Sequence, residues 1–329
     1  MRSILRVAIG LVLLAVVCWW SLALRFRLPV AHGLATMIGV AYAAAALGVL
    51  VWVRPFRRAA IVVLASFAIL ALWWSAIRPS NDRDWSPEYA HVAYGELDGD
   101  RLVLHNVRDF DYRSETDFTP RWETRTYDLS RITELDLFMS YWGSPWIAHT
   151  ILSWRFAEGP PLAISIETRR ERTESYSAVR GFFREYEIYY VAADERDLIR
   201  LRTNYRGEHV YLYRLRTDPE RARALLLDYL KSMNALRTEP AWYNALTDNC
   251  TTSIRTHTKA VGGMSTLDWR LLANGHADEM LYERGALDHG LPFPRLKLAC
   301  SIDDKAKAAD QDPQFSERIR AGVPGPPRS

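Results

Sequence analysis

The chain has 329 residues, of which 49% are hydrophobic and 25% charged, and its formal net charge at pH 7 is +3. A balance this close to neutral excludes a general electrostatic case for nucleic-acid binding, and three cysteines are too few for a disulfide framework. The length suffices for one large core beside a smaller element.

Three almost uncharged runs, 4–24, 34–53 and 59–77, each reach the ~20 residues that cross a bilayer as a helix. Three in succession, with no Ala-x-Ala site ahead of a polar start, argue against a cleaved signal peptide. Cys18 follows Val16 and Val17, where lipid attachment needs a small residue, so it reads as an apolar residue of the first span. Trp19, Trp20, Trp73 and Trp74 lie near span ends and fit an aromatic belt. With a cytoplasmic N terminus, Arg2, Arg6, Arg54, Arg57 and Arg58 fall inside and Arg25, Arg27, Arg78 and Arg83 outside, five against four. The expectation is a multi-pass protein of the cytoplasmic (inner) membrane whose large C-terminal domain is periplasmic or otherwise extracytoplasmic.

Residues 1–78 are thus expected to form a membrane anchor, 79–90 a proline-bounded linker, 91–320 a folded domain and 321–329 a disordered tail. Within the domain, β-forming composition or alternation predicts strands at 91–94, 101–107, 122–128, 147–156, 162–168, 186–191 and 210–215. The pair 147–156 and 162–168, separated by Ala157-Glu158-Gly159-Pro160-Pro161, is the clearest hairpin. A helical stretch is predicted at 193–202. Asp218-Pro219-Glu220 opens a longer helix, with Ala222, Leu225, Leu226, Tyr229, Leu230 and Met233 at helical spacing. A further short helix is predicted over 268–274. Strands and helices mix without strict β-α-β alternation, which makes the fold class α+β.

Cys250 stands where the polar loop 238–249 runs into a helix. The partial positive charge and free N–H groups of a helix N terminus favour a thiolate and an oxyanion. A thiol nucleophile needs a base, and His149 opens the first strand of the hairpin, sharing a face with Ile151 and Ser153. Pairing Phe156 with Pro161 sets His149 opposite Thr168 or, with a one-residue shift, Glu167. Ser165 or Ser153 would orient the imidazole in other registers.

The strings Tyr141-Trp142-Gly143-Ser144-Pro145-Trp146-Ile147-Ala148-His149-Thr150, Ile164-Ser165-Ile166-Glu167-Thr168-Arg169 and Tyr243-x6-Asn249-Cys250-Thr251-Thr252 resemble the Lnb N-terminal periplasmic domain family over roughly 79–298. That family is similar to circularly permuted papain-like (NlpC-type) thiol proteins, which include the lecithin retinol acyltransferase group. The resemblance implies a permuted papain-like domain with Cys250 as nucleophile, His149 as base and Glu167 as orienting residue. Asn249 and Thr251 would shape the turn and the oxyanion site. The family's namesake remodels lipoproteins by acyl transfer, but only the domain is shared here. The resemblance and the anchor together lead us to expect a thiol acyltransferase or hydrolase on an ester or amide of an envelope lipid or lipoprotein, with the bilayer as partner. A peptide or peptidoglycan amidase and a non-catalytic envelope binding module are the alternatives.

Other residues carry weaker expectations. Arg169, Arg170 and Arg172 lie in a mixed-charge run that would be a solvated loop or a surface for anionic head groups, which Arg200, Arg202 and Arg206 would extend. His257, two helical turns beyond Cys250, is a rival base. His276 lacks the His-Glu-x-x-His spacing of a metal site and caps a helix, so neither metal nor cofactor is expected. Cys300 would silence the site if it paired with Cys250.

Overall fold

The computed structural model describes residues 2–244, 250–262, 268–271 and 273–325, and only the backbone of Arg2, Ser3, Arg6 and Cys250. The chain divides into two compact units, Met1–Ser80 with Tyr176–Glu187, and Asn81–Ser175 with Ile188–Ser329.

The first unit holds helices α1 (Arg2–Arg27), α2 (His32–Trp52) and α3 (Phe56–Ala76), each with a 21-residue segment apolar enough to span a membrane. Large apolar side chains such as Ile4, Leu11, Met37, Val51, Ile61 and Leu72 face outward, as lipid-facing helices require. Helices α1 and α2 meet closely at Gly39, where a Cβ would stand 2.6 Å from the Ser21 carbonyl oxygen. The Ser21 hydroxyl donates to the Gly39 carbonyl at 2.7 Å, pairing a polar group that lipid could not satisfy. Cys18 is exposed on α1.

The second unit is a mixed α+β domain, as expected. Its strands are β1 (Tyr94–Asp98), β2 (Arg101–Arg108), β3 (Asp111–Tyr112), β4 (Phe118–Thr119), β5 (Trp122–Asp128), β6 (Ile132–Tyr141), β7 (Ala148–Phe156), β8 (Leu162–Arg169), β9 (Glu187–Ala193) and β10 (His209–Arg214). Eight form one sheet in the order β1-β2-β9-β8-β7-β6-β10, with β5 also on β2, while β3 and β4 make a separate ladder. β2 and β9 run parallel; the registered neighbours β6/β7, β7/β8 and β6/β10 are antiparallel. Helix α4 (Glu195–Arg200) continues through a π turn, Leu201–Tyr205. It is followed by α5 (Pro219–Thr238), α6 (Cys250–Ala260), α7 (Ala277–Glu283), α8 (Phe293–Ala299), α9 (Asp303–Ala308) and α10 (Phe315–Arg320).

Asp218 caps α5 through the Arg221 N–H at 2.7 Å, and Pro219 occupies its first turn. The six apolar residues at helical spacing are all buried, and α5 lies against β1 and β6. Burying a side chain such as Leu226 contributes about 1.5–3 kcal/mol.

Three differences from the sequence reading concern the domain's edges and centre. The stretch expected to be a linker is folded: Trp85 is buried, its indole N–H donates to the Asn81 carbonyl at 2.8 Å, and Trp85 bridges to Glu171. Strand β6, unpredicted, lies between β7 and β10. The start of the expected tail is packed, since Val323 is buried and its N–H donates to the Arg320 carbonyl at 3.0 Å.

Candidate active site

The hairpin β7–β8 sets Ile151 opposite Ser165; two residues farther along each strand, this register brings Glu167 opposite His149. Of the registers considered from sequence, it is the one shifted by a residue. Side chains at opposed and diagonal positions share a face, and they form a chain of contacts. His149 Nε2 is 2.6 Å from Ser165 Oγ, and that hydroxyl donates to Glu167 Oε1 at 2.8 Å. Arg202, in the π turn, donates to the same Oε1 at 2.8 Å, and His149 Nε2 lies 3.7 Å from it.

Burial opposes ionisation of Glu167, but the Arg202 guanidinium outweighs it and holds the carboxyl well below the usual carboxylate range. An ionised carboxylate only accepts, so the Ser165 hydroxyl must donate to it and accept from His149. The network thereby assigns the proton of a neutral imidazole to Nε2 and leaves Nδ1 as the proton acceptor. Burial and then Arg202 push His149 down to about 3, against the opposing pull of Glu167. The imidazole is therefore neutral at neutral pH, with its side chain 14% exposed.

Helix α6 starts at Cys250 and packs against β7 and β8. Asn249 and the side chain of Cys250 lie outside the described residues. Asn274 bonds to Thr251, beside Cys250, and to Ala148, beside His149. Its Nδ2 donates to Thr251 Oγ1 at 2.5 Å and to the Ala148 carbonyl at 2.6 Å, while its Oδ1 accepts from the Ala148 N–H at 2.9 Å. One buried amide thus joins the residue before His149 to the residue after Cys250. Gly275 permits this approach, because a Cβ there would come within 2.1 Å of the Pro145 carbonyl oxygen and 2.6 Å of the Trp146 carbonyl carbon. The Gly275 N–H donates to Trp146 and its carbonyl accepts from the Tyr141 hydroxyl at 2.8 Å.

His257 serves differently. Its Nδ1 meets Asp228 at 2.7 Å, its Nε2 meets the Tyr190 hydroxyl at 2.7 Å, and its ring lies on Tyr229 at 4.1 Å. With both nitrogens engaged and burial lowering its proton affinity, it ties α6 to α5 and β9.

The arginines read as a head-group surface are largely committed inward. Arg169 is buried; its guanidinium donates to the Tyr89 and Ala90 carbonyls and to Asn81 and lies 4.1 Å from the Trp85 ring centre, so it is unavailable to a head group. Arg170 donates to the Tyr89 hydroxyl at 2.6 Å, and Arg172 pairs with Asp84 at 2.9 Å on the surface. Arg200 is buried against Asp111, and Arg206 pairs with Glu115.

Ser153 contacts Glu195 at 2.5 Å, away from His149. Cys300 is a free, buried thiol pushed up to about 12 by burial. His276 occupies the N-cap position of α7 without a side-chain capping bond, and no group of three or more His, Cys, Asp and Glu side chains among the described residues is placed to hold a metal. Arg202 and Asn274 are the residues whose local roles sequence reasoning missed. The signal that could have found Asn274 is its neighbour Gly275, since a glycine permits close backbone approach; it was not read that way from the sequence.

Residues 118–275 match the family model of the Lnb N-terminal periplasmic domain. The matched stretch runs from β4 to Gly275 and contains His149, Ser165, Glu167, Arg202, Cys250 and Asn274; it is narrower at both ends than the resemblance drawn from the motifs. No curated protein and no solved structure matches this chain.

Proposed function

We propose that the protein is a membrane-anchored thiol acyltransferase or hydrolase with a permuted papain-like catalytic domain. Cys250 is the nucleophile, His149 the general base, and Ser165, Glu167 and Arg202 hold the imidazole. The observation that carries the reading is the Asn274 clasp, which supports placing the start of α6 beside the start of β7.

The Cys250 S–H proton passes to His149 Nδ1 as the sulfur bonds to an ester or amide carbonyl carbon. Backbone N–H groups at the start of α6 stabilise the oxyanion. The C–O or C–N bond then breaks, the leaving group takes the proton from His149, and a thioester remains for an alcohol, an amine or water to attack. The transient imidazolium is stabilised by Glu167, 3.7 Å from Nε2. Because His149 is neutral at rest, the sulfur starts as a thiol and loses its proton during attack.

Three apolar helices in the same chain as the domain favour a lipid ester or a lipoprotein as acyl donor. In this reading the N terminus is cytoplasmic and the domain periplasmic. Asn249 and Thr251 shape the turn that presents the sulfur, with Thr251 held by Asn274. The test is turnover of fluorogenic acyl-ester and acyl-amide substrates by the full chain in phospholipid nanodiscs. Cys250→Ser and His149→Ala should each lower ester turnover by about 10²-fold or more. Equal rates for the three proteins would exclude the enzyme, and cleavage of the amide alone would move the reading to a peptidase.

A further inference from the structure

Between β8 and β9 the chain leaves the large domain and joins the helical unit over Tyr176–Glu187. Phe183 in this excursion is only 4% exposed. It packs against Trp20 and Ala23, with its ring 5.7 Å from that of Trp19 and 5.2 Å from that of Phe26. Arg184 follows in a left-handed conformation, φ 55°, that a residue with a side chain adopts at a cost. Its guanidinium donates to the Trp74 carbonyl at 2.7 Å, near the end of α3, and lies 4.8 Å from the Trp74 ring centre. Glu187 accepts from the Ser80 N–H at 3.0 Å.

Trp19 and Trp20 near the end of α1 and Trp73 and Trp74 near the end of α3 form one aromatic cluster, with Trp19 and Trp74 rings 5.0 Å apart. Clustered tryptophans at the same ends of apolar helices mark the depth at which hydrocarbon gives way to head groups. The docked segment carries Tyr176, Val179 and Phe182 at that end, exposed by 49%, 52% and 37%. Three large apolar side chains on a twelve-residue surface segment otherwise rich in charge have no reason to face water.

We propose that Tyr176–Glu187 is an interfacial membrane anchor. Tyr176, Val179 and Phe182 enter the head-group and acyl boundary of the leaflet at the C-terminal ends of α1 and α3. Phe183 and Arg184 lock the segment to those helices. The occupant is lipid, because Phe183 and Arg184 hold the segment at the tryptophan cluster of the spans. The anchor is independent of the catalytic reading.

The test uses the full chain in phosphatidylethanolamine–phosphatidylglycerol nanodiscs. The background carries Cys18→Ala and Cys250→Ser, with buried Cys300 left in place. An environment-sensitive fluorophore is attached at Val179→Cys or Phe182→Cys and compared with Thr116→Cys, an exposed site on the large domain. Both segment positions should emit to the blue of Thr116→Cys and be quenched about two-fold by lipids brominated on the acyl chains. Water-like, unquenched emission at 179 and 182 would overturn the anchor. A blue shift without bromolipid quenching would overturn it too, by assigning the patch to protein contact.

Discussion

The imidazole of His149 sits between charges of opposite sign. Arg202 opposes its protonation, while Glu167 favours it once a proton arrives. Its folded-state value of about 3 lies below the ordinary 6.5, so between these pH values the folded chain binds fewer protons than the unfolded one. The stability due to neutral His149 is complete above about pH 6.5 and is lost as pH falls toward 3. Glu167 is also depressed, from 4.5, and its contribution is lost on further acidification. Denaturant titrations should show stability falling across this acid window, and His149→Ala should flatten the upper part of the fall. A stability that rises on acidification would contradict the assignment. Activity follows the same sign: the acid limb of ester turnover should lie well below pH 6.5. Little of this was legible in the sequence, which placed Glu167 near His149 but left Arg202 in a supposed surface patch. A long side chain from the π turn reaches across, and no local spacing encodes that.

Two elements, β7 and α6, must be held together for a cysteine at one to use a histidine on the other, and the turn at 274–276 does this. Asn274→Ala would take away the side-chain partner of the buried Ala148 N–H and C=O, costing about 2–6 kcal/mol at the usual 1–3 kcal/mol per buried unpaired group. Thr251→Val removes the bond from Asn274 and should cost about 1 kcal/mol. Thermal unfolding measures the stability change, and ester turnover should fall more steeply for Asn274→Ala than for Thr251→Val. Comparable turnover in both variants would contradict a positioning role. Gly275→Ala should destabilise similarly, since its Cβ meets backbone rather than a flexible side chain. The hairpin β7–β8 was readable because alternation and a Gly-Pro-Pro turn delimit it. Strand β6 was not: Leu135 to Tyr141 are all buried, so both of its faces are covered and the polar–apolar alternation of a half-exposed strand is missing.

At the scale of the whole molecule, three apolar helices and the domain that matches the Lnb N-terminal periplasmic model over 118–275 are joined twice by the chain, at the N-terminal side of the domain and through Tyr176–Glu187. The spans were legible from length and hydropathy alone, because lipid demands uninterrupted apolar helices. The second connection was not, since its charged composition reads as loop and its anchoring rests on two residues, Phe183 and Arg184. The last helices were missed for a related reason: α8 to α10 are six or seven residues each, too short for a periodic signal, whereas the acids that follow His276 announced α7. The central claim is that Cys250 carries an acyl group transferred with the help of His149. Its most direct test is mass spectrometry of the full chain in nanodiscs after exposure to an activated fatty-acyl ester. We predict a hydroxylamine-labile acyl adduct on the Cys250 peptide that is strongly reduced in His149→Ala and absent in Cys250→Ser. An adduct of equal yield in His149→Ala, or none on Cys250 in the wild type, would contradict it.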